Sequence, residues 1–113
     1  VTNLKINVLG TEYTVEVLSP DAEHYLKENK CDGYCDSSSH RIVVSTCPES
    51  DLDDLESYIK CVKRHEIIHA FMNESGLQSS WEHQQYGQEE TVVDWIAIQF
   101  PKLLKAFEAA DAL

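Results

Sequence analysis

Five consecutive residues, His65-Glu66-Ile67-Ile68-His69, have types and spacing that suit metal chemistry. Residues four apart stand one above the other on a helix face. Two imidazoles so placed can converge on one Zn²⁺ at about 2.0–2.1 Å per Zn–N bond. Glu66 is one step round from His65, close enough to reach a metal-bound water without ligating the metal. A carboxylate there takes a proton from that water, whose pKa the metal lowers to about 7. Two histidines spaced by four, one buried and one solvated, would explain the same letters without metal. The intervening glutamate and the helical setting favour metal over that reading.

The setting is a long helix. From Asp51 to Glu74 there is neither Gly nor Pro, and Leu52, Leu55, Ile59, Val62, Ile67, Ile68 and Phe71 recur at helical spacing. Ser50 or Asp51 is the expected N-cap, Asp53, Asp54 and Glu56 suit the positive helix start, and Gly76 is a natural stop. Catalytic zinc commonly takes three protein ligands, so one must come from elsewhere. The pattern that continues with a glycine and a third histidine is absent, because Met72 and Ser75 occupy those positions. Downstream, Glu90 and Asp94 are four apart on a second expected helix. If Glu90 ligates the metal, Asp94 is placed to accept the second N–H of a ligand histidine and fix its tautomer. The plainer reading makes both simply acidic residues near a helix start. His83 is the rival ligand, and it, Tyr86 and Tyr34 are candidates for stabilising a developing oxyanion. His24 and His40 have no local partner pattern and are expected on the solvated surface.

The elements that must position these residues follow from periodicity. Residues 3–9 and 12–18 alternate with period two around Gly10-Thr11, which predicts a β-hairpin with one buried face. Ser19-Pro20-Asp21 reads as the start of a short helix running to about Lys30. Asp32-Gly33 reads as a turn and Arg41–Ser45 as a third strand ending near Pro48. Residues 77–88 are polar and contain Gly87, which predicts a loop. A helix from about Gln88 or Glu89 to Gln99 follows, Pro101 kinks or restarts it, and Leu103, Leu104 and Phe107 mark a short last helix. This order predicts one α+β domain over residues 1–113. A small antiparallel or mixed sheet would pack on the long histidine-bearing helix and on the second, ligand-bearing helix.

Composition limits the remaining options. The 113 residues suffice for one core, and 42% hydrophobic content is that of a globular chain. A formal net charge of −11 disfavours nucleic acid and anionic membranes as partners. No run approaches the ~18 apolar residues of a membrane span. The chain opens at Val1, so a trimmed leader stays open. Cys31, Cys35, Cys47 and Cys61 are expected as free thiols in a reducing cytoplasm, with Cys61 a buried thiol of the long helix. A Cys31–Cys35 disulfide or accessory metal site is the lesser alternative.

His65-Glu66-x-x-His69 with downstream Glu90-x-x-x-Asp94 resembles the gluzincin clan of zinc metallopeptidases. Its length and order of elements are similar to the smallest members, the minigluzincins, and to short proteins encoded by bacteria and phages. Arg64–Phe71, Glu74–Leu77 and Val93–Ala97 carry the likeness, which covers residues 60–100 well and the first half only through its elements. The resemblance implies Zn²⁺ held by His65, His69 and Glu90, Glu66 as general base and proton shuttle, and Asp94 behind a ligand histidine. It also implies that the strand near 41–46 forms the rim of a cleft on which an extended peptide pairs. A cytoplasmic metallopeptidase acting on one specific protein substrate, or held latent by its own chain, is the expectation. Unlike larger gluzincins, these 113 residues are not expected to hold a separate C-terminal domain that closes the cleft. The competing expectation is a zinc-stabilised binding or regulatory module without turnover.

Overall fold

Alternating apolar and polar residues at the start of the chain form the expected hairpin. The computed structural model describes residues 2–48, 53–80 and 90–113. In it β1 (Thr2–Val8) pairs antiparallel with β2 (Thr11–Leu18). The turn sits one residue earlier than Gly10-Thr11 suggests: Leu9 (φ 53°) and Gly10 (φ 95°) make a two-residue loop with both φ positive. That geometry matches the twist of paired strands, and Asn7 Oδ1 accepts from the Gly10 N–H at 2.6 Å.

The next segment departs further from expectation. Helix α1 is only His24–Glu28, because Ser19 takes the preceding residues into a turn. Its carbonyl accepts from the N–H groups of Ala22 and Glu23, both at 3.0 Å, and its Oγ also accepts from Ala22. Asp32-Gly33, which reads as a turn, opens a strand instead, β3 (Gly33–Asp36), antiparallel to β4 (Arg41–Ser45). Strand β4 pairs in parallel with β2, so the sheet is mixed, in the order β1-β2-β4-β3. Strand β4 is therefore interior and β3 is an edge, so residues 41–46 are not the edge strand that the resemblance implies.

The sheet faces are filled differently. Ile6, Val8, Tyr13, Val15, Ile42 and Val44 form a core with Ile67, Ala70 and Phe71 of α2 (Leu55–Glu74) and Leu103, Ala106 and Phe107 of α3 (Glu90–Ala109). On the other face Tyr25 of α1 packs against Tyr34, and Glu23 pairs with Arg41 at 3.0 Å. The fold is α+β, with a four-stranded mixed sheet and helices.

Helix α2 is the long helix that the apolar spacing predicts. Its cap is Asp54, whose carboxylate accepts from Ser57 N (3.1 Å) and Ser57 Oγ (2.8 Å). Ser50 and Asp51, the expected caps, lie outside the described residues. The helix ends at Glu74, and Gly76 adopts the positive φ (84°) that a helix stop of this kind uses. Helix α3 runs unbroken through Pro101 rather than restarting there. One ring removes one helix donor, and Leu103, Ala106 and Phe107 hold the second half against the core. No helix of the described residues is long and apolar enough to cross a membrane.

Two sets of polar contacts fix α2. The fully buried Tyr13 donates from its hydroxyl to Glu74 Oε2 at 2.8 Å, tying β2 to the last turn. On the side toward α3, Lys63 Nζ, buried at 5% exposure, donates to the carbonyls of Ala110 (3.1 Å) and Asp111 (3.2 Å). Lys60 Nζ reaches the Leu113 carbonyl at 2.7 Å and Arg64 the Ala112 carbonyl at 2.8 Å. Three cations thus satisfy the carbonyls that follow α3, where the helix dipole is negative.

Candidate metal centre

The helix places His65, Glu66 and His69 together, with their ligand-capable atoms all within 4.8 Å of one another. Both histidines are exposed and Glu66 is buried at 7% exposure, the arrangement expected where α2 turns one edge to solvent and the next position to the sheet. His65 Nε2 and His69 Nε2 are 3.2 Å apart, with ring planes at 69°. Two nitrogens bound tetrahedrally at 2.0–2.1 Å from one zinc would stand about 3.3–3.4 Å apart. The separation of the pair is close to that value. The same separation suits a hydrogen bond between two neutral rings, so it defines a fit rather than an occupant.

Burial shifts both His69 and Glu66 toward their neutral forms. Desolvation of the His69 ring, followed by repulsion from a charged His65, lowers the His69 pKa. A neutral imidazole is the ligating form. Burial raises the Glu66 carboxyl pKa, and His65 opposes that shift.

The edge strand explains how Glu66 comes to be buried. A Cβ built on Gly33 would lie 2.8 Å from Val62 Cγ1, 3.0 Å from the Val43 carbonyl oxygen and 3.4 Å from Glu66 Cγ. Strand β3 passes so close to α2 that a side chain at position 33 would have to displace Val62 or the strand, and this approach covers Glu66. Strand β3 has four residues and a turn-like Asp-Gly start, so the sequence conceals it. The sole signal was a glycine followed by an aromatic and a cysteine in alternation.

The other candidates separate into three groups. Glu90 is the first residue of α3 and Asp94 lies one turn later. Their side chains lie outside what the structure describes, as do His83 and Tyr86 altogether. Trp95 Nε1 donates to Ser75 Oγ at 3.3 Å, which brings the early turns of α3 to the C-terminal end of α2. Tyr34 is not at the centre. Its ring lies on Tyr25 and its hydroxyl accepts from Arg41 at 3.1 Å, on the sheet face away from α2. His24 and His40 are exposed, as expected, with His40 against the Tyr13 ring.

The four cysteines are free. Cys61 is exposed rather than buried, because its position turns outward between Lys60 and Val62. Burial pushes the Cys31 thiol up and the Cys35 thiol up to about 12, the nearby Glu66 adding to both. Both are neutral thiols near neutral pH, and neither joins the metal-capable group formed among the described residues.

Comparison of the chain with protein-family models, with curated proteins and with solved structures finds no match.

Proposed function

We propose that the chain is a zinc-dependent peptidase with a minimal zincin-like architecture. His65, His69 and Glu90 hold the metal, and Asp94 orients a ligand histidine. The observation that carries this reading is the convergence of three side chains on one stretch of α2, with two ring nitrogens 3.2 Å apart beside a buried carboxylate. A zinc ion held there supplies Lewis-acid activation of water and of a scissile carbonyl.

This chain's own residues do the rest. Glu66 takes the proton of the attacking water and returns it to the leaving amine. Strand β3, an edge of the sheet among the described residues and packed against α2 at Gly33, offers main-chain partners to an extended peptide. His83 and Tyr86 are the candidates for holding the oxyanion. A specific protein substrate suits the small size of the chain, which leaves little surface for specificity pockets.

The test is Glu66→Gln in zinc-loaded protein, assayed against a peptide library. Under this reading the variant keeps its zinc and loses hydrolysis by about 10²-fold or more. A zinc-loaded parent that cleaves nothing would leave the non-catalytic, zinc-stabilised module. Equal cleavage by parent and variant would remove Glu66 from the chemistry.

A further inference from the structure

At the sheet edge opposite the metal centre, a cleft of about 530 Å³ lies between β1 and the C-terminal half of α3. Its floor is apolar, from Ile6, Leu9 and Ala106, and Lys5, Lys102 and Lys105 stand round it. The chain has 9 Lys and Arg against 20 Asp and Glu, so one cleft gathers three of nine cations.

Four of the six cations elsewhere are engaged, and Lys27 and Lys30 stand exposed in α1 and just after it. Lys60, Lys63 and Arg64 hold the carbonyls after α3, and Arg41 pairs with Glu16 and Glu23. Lys102 and Lys105 have no carboxylate partner among the described residues. Lys5 has one contact, to Glu12 at 3.7 Å, with both side chains 67% exposed, and such a pair contributes little.

Among the described residues, no strand pairs with the outer side of β1 at the cleft. The loop Leu9-Gly10 closes on the pair Val8↔Thr11. Alternation along an antiparallel ladder then turns the main-chain groups of Val8, Ile6 and Leu4 toward β2 and those of Asn7 and Lys5 outward. Strand β1 is an edge, and Lys5 and Asn7 both line the cleft. A lysine on an edge strand often serves only to prevent unwanted pairing. That explains Lys5 alone, since Lys102 and Lys105 come from a helix and face the same space.

We propose that this cleft binds an extended, acidic peptide segment of a partner protein, which adds to β1 as a fifth strand. Main-chain bonds to Lys5 and Asn7 fix the register. Side chains of the segment that turn toward α3 lie over the apolar floor and beside Lys102 and Lys105, and those that turn to the opposite face lie beside Lys5, so carboxylates on both faces meet a lysine. The site lies at the other sheet edge from His65 and Glu66 and does not depend on the metal centre or its activity.

The test uses the full chain, labelled with ¹⁵N and titrated with a blocked heptapeptide of glutamate and valine, Glu-Glu-Val-Val-Glu-Glu-Val, which carries both residue types on both strand faces. The proposal expects saturable shifts centred on β1 and slowed hydrogen exchange at the Lys5 and Asn7 amides. It expects little response to the matching lysine–valine peptide, and about tenfold or greater weakening in Lys102→Glu/Lys105→Glu, which leaves the core untouched. Absence of binding at millimolar acidic peptide would overturn it, as would binding that ignores the charge reversal. Decanoate binding equally well, with no added protection at Lys5 and Asn7, would also overturn it and make the cleft an amphiphile pocket.

Discussion

Gly33→Ala is the perturbation whose size follows most directly from the geometry. The added Cβ would sit 2.8 Å from Val62 Cγ1 and 3.0 Å from the Val43 carbonyl oxygen. Ordinary carbon contacts lie at about 3.5–4.0 Å, so β3 and α2 must separate or Val62 must leave its place. Overpacking on this scale costs about 1–3 kcal/mol. Restricting the unfolded chain offsets about 0.4–1 kcal/mol of that. The expected net loss is about 1–2 kcal/mol, or a fall in Tm of about 4–10 °C for a domain of this size. Urea unfolding of parent and variant, followed by circular dichroism, reads it directly, with an unchanged m-value showing that both states keep their compactness. Val62→Ala removes the nearest obstructing atom, so the double variant should recover about 1 kcal/mol relative to the sum of the single changes. Equal or greater stability of Gly33→Ala, or strict additivity with Val62→Ala, would refute the close approach of β3 to α2.

Tyr13→Phe removes the hydroxyl that donates to Glu74 and should cost about 1–3 kcal/mol in urea unfolding, with the fold retained. Lys63→Met keeps the aliphatic stem but leaves the Ala110 and Asp111 carbonyls without their donor. A loss of about 1–3 kcal/mol is expected, along with faster hydrogen exchange at the end of α3. Stability should also fall in acid. Hydrogen bonds from Ser38 and Ser39 lower the Asp36 carboxyl to about 2, and bonds from Ser57 lower that of Asp54. Folded values below the unfolded carboxyl pKa of about 3.9 give stability that is complete above that pH. It is lost as pH falls through the folded values, so the urea midpoint should drop between about pH 4 and 2. Asp36→Asn/Asp54→Asn should flatten that limb.

What the sequence revealed and concealed follows from how local each signal is. The hairpin and α2 rest on patterns many residues long, and Gly76 marks a helix stop by its own conformational freedom. His65, Glu66 and His69 are brought together by a single helix, so spacing alone predicts their meeting. Strand β3 was hidden because Gly33–Asp36 is held by pairing with β4 and by contact with Val62, both distant in sequence. The cap of α2 fell on Asp54 rather than earlier because Ser57 supplies two donors to its carboxylate. Pro101 does not interrupt α3, since core contacts on its far side outweigh one missing donor. Cys61 is exposed although nearby Ile59 and Val62 pack against the core, because its own helix position faces solvent. Tyr34 was drawn away from the centre by Arg41 and Tyr25, partners that no local pattern announces.

The most direct test of the central claim is zinc per chain, measured in protein purified without chelator, beside Glu90→Ala. The account predicts about one zinc in the parent and a clear loss in the variant. One zinc in both would contradict Glu90 as the third ligand and transfer that role to His83 or to water. No zinc in the parent, even after metal is added, would contradict the account as a whole and leave His65 and His69 as two neighbouring histidines sharing a hydrogen bond.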